Sequence, residues 1–214
     1  DGVVESIKNI ELDIVIGVSF REGNIPIEKI TELSTKQRID FVLDNLMKNV
    51  DIEDKIHPEF KSKVNQFRYY LDVLKLELDS FEKQFSKYPA NKRYEMGHQL
   101  LEKIRKEKFE YIDKILFETD SLVESLALSK DDFEVYKKYY QNVLHPLLLQ
   151  APFINRVYNK PLGYAGDYEM MNMIYRNEYE GDSLFAKILN KYTLSIQLSQ
   201  ANRNSLRYLF KKIK

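Results

Sequence analysis

The chain has 214 residues and a formal net charge of zero, because it contains 33 Lys and Arg residues and 33 Asp and Glu residues. This balance argues against a dedicated nucleic-acid-binding protein, which carries a large basic excess. No cysteine is present, which excludes disulfide bonds, cysteine-ligated zinc and thiol nucleophiles. No apolar run approaches the roughly 20 residues of a membrane span. Because the sequence starts at Asp1 and has no signal-like segment, we expect a cytoplasmic piece of a longer protein.

Residues 1–33 have a different pattern from the rest of the chain. Apolar side chains alternate along this segment as they do in a half-buried strand, at Ile10, Leu12, Ile14, Ile16, Val18 and Phe20. Residues 3–7 are a candidate partner strand. Two strands alone are marginally stable in water. The pattern therefore predicts a short β-hairpin, or the remnant of a sheet that ends an upstream regulatory domain.

Residues 34–150 have helical periodicity, which predicts a mainly α fold built as a bundle of long antiparallel helices. Thr35 is a candidate N-cap for a helix that ends near Asn49. After Pro58, apolar residues recur at alternating steps of four and three, at Phe60, Val64, Phe67, Leu71, Leu74, Leu78, Phe81 and Phe85. This seam either packs inside the bundle or forms an intermolecular coiled coil, with a homodimer through Phe60, Phe67, Leu74 and Phe81. The bulk of the phenylalanines favours the bundle.

The rest of the bundle contains further helix signals. The break at residues 88–91 predicts a second long helix over residues 92–117, followed by a link near Asp120. Ser129 and Asp132 have the spacing of an N-cap pair for a third helix. Pro146 and Pro152 are expected to end or kink that helix.

Residues 151–214 begin with a tight loop that leads into a helix. Gly163 and Gly166 lie close together in a chain that has only seven glycines. Asp167 is placed to cap a helix that starts at Tyr168, with Met171, Ile174 and Tyr175 as the residues expected to face inward. Tyr164 and Tyr168 offer flat faces with polar tips. These residues either serve the turn, the cap and the packing alone, or they also contact a ligand.

The last residues predict helical structure from about Ser183 to Ile213, with Asp182 as N-cap and a break within residues 199–202. Leu206, Leu209, Phe210 and Ile213 form a separate apolar face of this region. Lys and Arg outnumber Asp and Glu from Ala151 onward. This excess is typical of a solvated helix face, and it would also favour an anionic ligand.

The segment 161–175, followed by Gly181–Phe185 and by Ala201–Leu209, resembles a family of bacterial proteins. The element P-x-G-Y-x-G-D-Y, at residues 161–168, is the most specific part of the resemblance. Members of this family have a helical region directly ahead of a class I S-adenosylmethionine-dependent methyltransferase domain. Some are associated with making a hydroxy-fatty-acid methyl ester signal. The resemblance covers about the last seventy residues well.

The resemblance implies that this chain is the helical cap of such an enzyme and that its missing partner is a C-terminal methyltransferase core. No strand followed by a glycine-rich turn occurs in the sequence, so the S-adenosylmethionine-binding glycines have no counterpart here. The cap residues that the resemblance assigns to cofactor or substrate binding are Tyr164, Asp167, Tyr168, Asn172 and Arg203. The alternative is a non-enzymatic helical sensor or dimerisation module of a bacterial signalling protein.

Overall fold

The computed structural model describes residues 52, 54–164 and 166–213. The predicted β element in residues 1–33 and the predicted helix at residues 35–49 lie outside this part of the chain. Helices contain 82% of the described residues, and no strand occurs among them, which confirms the mainly α class. No helix in these ranges combines the length and the apolar character that crossing a membrane requires.

Three long helices form the first part of the fold: α1 at Pro58–Phe85, α2 at Ala90–Ser125 and α3 at Lys130–Leu148. Pro58 occupies the first turn of α1, where a missing backbone N–H is harmless. Ser129 caps α3 as predicted, because its Oγ accepts a hydrogen bond from the backbone N–H of Asp132 at 3.1 Å.

The predicted end of the second helix near residue 117 is wrong. α2 continues to Ser125 without a link at Asp120. The buried stripe also continues past the predicted end, since Thr119 and Val123 are both buried. Thr119 satisfies its hydroxyl by donating to the carbonyl oxygen of Ile115 at 2.8 Å. A polar residue that bonds within its own helix does not interrupt the buried face.

The two prolines act differently from each other. Pro146 lies inside α3 and does not end it, because the helix ends only at Leu148. Pro152 stands in the first turn of α4, at Pro152–Asn159, where proline is favoured. The helix boundary therefore lies between the two prolines, at Leu149–Ala151.

The seam of α1 packs inside the chain. Phe60 and Phe67 are only 2% and 3% exposed, and the Phe60 ring lies 4.9 Å from the ring of Tyr136 in α3. Leu74 and Phe81 are half-buried and pack against the same core. The bundle alternative is therefore the observed one. α2, α3 and α6 pack against α1, so Phe60 and Phe67 are covered within the chain, and the homodimer stays a prediction.

Three more helices complete the fold: α5 at Tyr168–Arg176, α6 at Leu184–Ser195 and α7 at Gln197–Ile213. α6 is the central one, since it packs against α1, α2, α4 and α7. Its buried Asn190 accepts a hydrogen bond from the backbone N–H of Phe153 at 2.8 Å, which ties α4 to α6. Core residues from both sides of residue 150 form one cluster.

Several predicted details of this region need correction. The N-cap of α6 is Ser183 rather than Asp182, because the Ser183 Oγ accepts from the backbone N–H of Ala186 at 3.0 Å. The break between α6 and α7 falls at Ile196 rather than within residues 199–202. Ser199 is buried inside α7, and its hydroxyl donates to the carbonyl oxygen of Thr193 at 3.0 Å. Met171 in α5 is only half-buried and Tyr175 is exposed, whereas Met173 and Ile174 are buried.

His145 gives the stability of this fold a pH dependence. The ring is buried against Tyr158, with ring centroids 4.5 Å apart, and its Nε2 has no hydrogen-bond partner among the described residues. Burial lowers the pKa of His145 to about 4, below the unfolded value near 6.5. As the pH falls, His145 therefore takes up a proton in the unfolded chain at a higher pH than in the folded chain. The stability that neutral His145 confers is lost as the pH falls from about 6.5 to about 4.

We expect His145→Gln to remove this part of the acid sensitivity. A glutamine side chain does not titrate, so the variant should lack the contribution of His145. Urea unfolding of both proteins at a series of pH values from about 7 to about 4 measures the effect. The difference in unfolding free energy between wild type and variant should shrink or reverse as the pH falls. A difference that stays constant with pH would contradict the expectation.

Candidate functional site

The loop between α4 and α5 contains the P-x-G-Y-x-G-D-Y element, and we call residues 160–168 the motif loop. Lys160 ends α4 in the left-handed conformation, with φ at 47°. Gly163 and Gly166 also have positive φ, at 80° and 75°. A Cβ atom at Gly163 would meet no other atom within 4 Å, so the backbone conformation rather than crowding favours glycine there.

Asp167 anchors the motif loop from the inside. It is 2% exposed, and its Oδ1 accepts a hydrogen bond from the backbone N–H of Met170 at 2.8 Å, which confirms it as the N-cap of α5. The same Oδ1 accepts from the Nε of Arg156 in α4, also at 2.8 Å. The guanidinium and the cap bond both hold the pKa of Asp167 below its usual value. One carboxylate therefore joins α4 to the start of α5.

The two tyrosines of the motif loop are exposed to solvent, in contrast to the buried Asp167. Tyr164 is 52% exposed and Tyr168 is 66% exposed, and Leu162 beside them is also exposed. These side chains are too open to be explained by packing within the described part of the chain. The motif loop thus divides its residues between an internal anchor and an outward aromatic surface.

The other two predicted site residues serve the helices around α5. The Nδ2 of Asn172 donates to Glu169 Oε2 at 3.0 Å on the exposed side of α5. Arg203 in α7 donates from Nη1 to the carbonyl oxygens of Leu194 at 2.7 Å and Ile174 at 3.2 Å. Arg203 therefore ties the ends of α5 and α6 to α7.

A cleft of about 750 Å³ lies next to the motif loop. Arg156 and Glu169 line it beside the carboxylates of Glu180 and Asp182. Two of these carboxylates are paired with Arg176, Glu169 at 2.9 Å and Glu180 at 3.0 Å. None of the five predicted site residues lines this cleft. Charges of both signs in one opening suit a polar ligand better than an apolar one.

Sequence reasoning missed Arg156 as the partner of Asp167. Its only signal was membership in the basic excess after Ala151, which does not identify a partner. The pair is eleven positions apart and becomes close only because the motif loop folds α5 back onto α4.

The last turns of α7 present a second exposed surface. Tyr208, Leu209 and Phe210 are all more than half exposed, and the basic Lys211 and Lys212 follow them. Consecutive exposed positions on a helix point in different directions. This end of α7 therefore has little contact with the bundle among the described residues.

No protein-family model, no curated protein and no solved structure matches this chain.

Proposed function

We propose that this chain is the helical region that covers the cofactor and substrate pocket of an S-adenosylmethionine-dependent methyltransferase, and that it is inactive without the catalytic core. One observation supports this most directly. The motif loop uses a partly buried ion pair and two positive-φ glycines to hold Tyr164 and Tyr168 at the surface. A loop fixed in this way is suited to meeting a ligand or another domain.

The chemistry of methyl transfer fits a helical cap. The sulfonium of S-adenosylmethionine supplies the electrophilic methyl group, so the protein mainly positions the acceptor and excludes water. Exposed tyrosines offer a flat face to a planar group and a hydroxyl to a polar one. A carboxylate acceptor would need no general base, which agrees with a motif loop that has no histidine.

The exposed end of α7 supports the same proposal. Tyr208, Leu209 and Phe210 present large apolar groups to solvent. Exposed apolar surface of this kind is typical of an interaction site. A catalytic core that packs there would hold the motif loop against its cofactor pocket through α5, because α7 packs on α5.

The test uses the full-length protein of which this chain is proposed to be the helical region. We expect Tyr164→Ala and Tyr168→Ala each to lower kcat/KM for methyl transfer from S-adenosylmethionine by about tenfold or more, as expected when a positioning contact is lost. Both side chains are exposed, so the melting temperature should not change. Tyr69→Ala is the matched control, since Tyr69 is 72% exposed on α1.

Two results would overturn the proposal. One is a gene product that does not bind S-adenosylmethionine in a calorimetric titration. The other is turnover of S-adenosylmethionine by the 214-residue chain alone, because the pocket would then lie within it.

A further inference from the structure

A second cleft, of about 580 Å³, lies between the first half of α2 and the loop that joins α5 to α6. We call it the cation cleft, after its lining residues Arg93, Lys187 and Lys191. Its volume is in the range of small-molecule sites. It is separate from the motif loop, and the inference below does not depend on the proposed function.

The three cations of this cleft have no acidic partner in the described part of the chain. Lys191 donates from Nζ to the backbone and side-chain oxygens of Asn177, which are neutral. Arg93 makes one long hydrogen bond, at 3.4 Å, to the carbonyl oxygen of Ser86. Arg93 and Lys187 also line a neighbouring cavity of about 360 Å³. They therefore stand where two cavities meet.

Three carboxylates lie near these cations. Glu82 lines the neighbouring cavity, and its Oε1 accepts from the backbone N–H of Leu184 at 2.8 Å. Glu102 is half-buried, and it accepts from the Tyr179 hydroxyl at 2.7 Å and from Arg105 Nη2 at 2.8 Å. These bonds lower the pKa of Glu102 to about 2, so it stays ionised and paired. Glu178 is exposed at the rim. Burial is the main cause that lowers the pKa of Lys191; the nearby Arg105 adds to this effect, and Glu102 and Glu178 act against it. Among the residues that line the cleft, the three cations therefore outnumber the two carboxylates, Glu102 and Glu178.

Aromatic rings form one wall of the cleft. Tyr94 and His98 are stacked, with ring centroids 6.1 Å apart and an interplanar angle of 5°. The Tyr179 ring meets His98 edge-on at 5.6 Å. Tyr94 is largely exposed, so its outer face is open to receive a flat group. Gly97 allows Leu184 to lie close to α2 at the base of this wall.

We propose that the cation cleft binds a small organic anion with a flat ring, the acidic group lying between Arg93 and Lys187 and the ring lying along Tyr94. Both parts of this ligand class follow from the lining. Arg and Lys side chains that lack an acidic partner among the described residues favour a carboxylate or phosphate through charge-assisted hydrogen bonds. An aromatic wall beside them favours a planar group over a branched aliphatic one.

The test is calorimetric titration of the 214-residue chain at low salt with adenosine 5′-monophosphate, and in a second series with 1-naphthoate. Adenosine and inorganic phosphate separate the contributions of the ring and the anion. We expect at least one of the two ring-bearing anions to bind about tenfold more tightly than adenosine or phosphate alone. The series that binds distinguishes a phosphate from a carboxylate as the acidic group.

Variants assign the binding to this cleft. Arg93→Gln and Lys187→Gln should each weaken binding of the ring-bearing anion by about tenfold, because each removes a charge-assisted contact. Tyr94→Ala should weaken that binding and leave phosphate binding unchanged. Lys108→Gln is the control, since it removes the same charge from an exposed position of α2 outside the cleft. Circular dichroism checks that all variants keep the helical fold.

Two outcomes would overturn the inference. One is the absence of binding of both ring-bearing anions at about 1 mM. The other is binding that Arg93→Gln and Lys187→Gln leave unchanged.

Discussion

Replacing Gly181 with alanine should lower the free energy of unfolding by about 3 kcal/mol. Gly181 has φ at 146°, a conformation that side chains other than glycine rarely adopt. A Cβ atom there would lie 2.7 Å from the Ala186 Cβ and 3.0 Å from the backbone of α6. The backbone of a packed helix cannot yield to this contact at low cost, so the first turn of α6 has to shift.

Gly163→Ala is the matched control for this prediction. Its φ is also positive, but an added Cβ meets nothing within 4 Å. Only the backbone strain remains, and we expect a loss of about 1 kcal/mol. Urea unfolding monitored by circular dichroism measures both variants. Equal losses for the two would show that crowding against α6 contributes nothing.

Asp167→Ala should lower the melting temperature by at least about 5 °C. The variant loses the N-cap of α5 and the ion pair with Arg156 together, because both bonds use the same Oδ1. It also leaves the guanidinium of Arg156, which is largely shielded from solvent, without its partner. The motif loop then loses its attachment to α4, so under the proposed function the full-length protein should also lose methyl transfer activity.

Two further variants separate the cap from the ion pair. Asp167→Asn keeps a capping oxygen and removes the charge, so its loss of stability measures the ion pair. If Asp167 acted only as an N-cap, Asp167→Asn would leave the stability unchanged. Because Asp167 also pairs with Arg156, we expect the variant to be less stable. Asp182→Ala is the control, because Asp182 also precedes a helix but Ser183 makes the cap bond there. A neutral Asp167→Asn would show that the pair with Arg156 does not stabilise the fold.

Acid titration gives an independent check on Asp167. Its pKa is lowered in the folded chain, so its stabilisation is present at neutral pH and is lost as the pH falls through the lowered value. We expect the wild type to lose more stability than Asp167→Asn over that acidic range. Parallel losses would contradict this expectation.

Local signals of a few residues were predicted well from the sequence. Pro58 at the start of α1, Ser129 before α3 and Asp167 before α5 all have the predicted roles. Each of these roles depends on a bond or a backbone angle within three or four positions along the chain. The prediction of Asp182 as the N-cap of α6 was wrong, because Asp and Ser both cap helices. The path of the backbone determines that Ser183 is the cap.

The long-range parts of the candidate site could not be predicted in this way. Arg156 pairs with Asp167 only because α4 and α5 fold together. The cation cleft unites Arg93 of α2 with Lys187 of α6, which lie far apart in the sequence. Arg203 bonds the ends of α5 and α6, and no sequence pattern indicates these partners. In each case the partner of a charged side chain depends on helix packing, which the sequence pattern does not specify.

The sequence by itself determined the helical class, the apolar seam of α1 and the residues that start α1, α3 and α5. Hydrophobic periodicity and cap chemistry are local properties, so they can be read along the chain. Only the tertiary structure decided that Phe60 and Phe67 face α3 and the rest of the bundle rather than a second copy of the chain. An apolar seam predicts that its residues are buried, but it does not predict which helix or which chain buries them. Burial against any apolar surface gains a similar free energy per unit area.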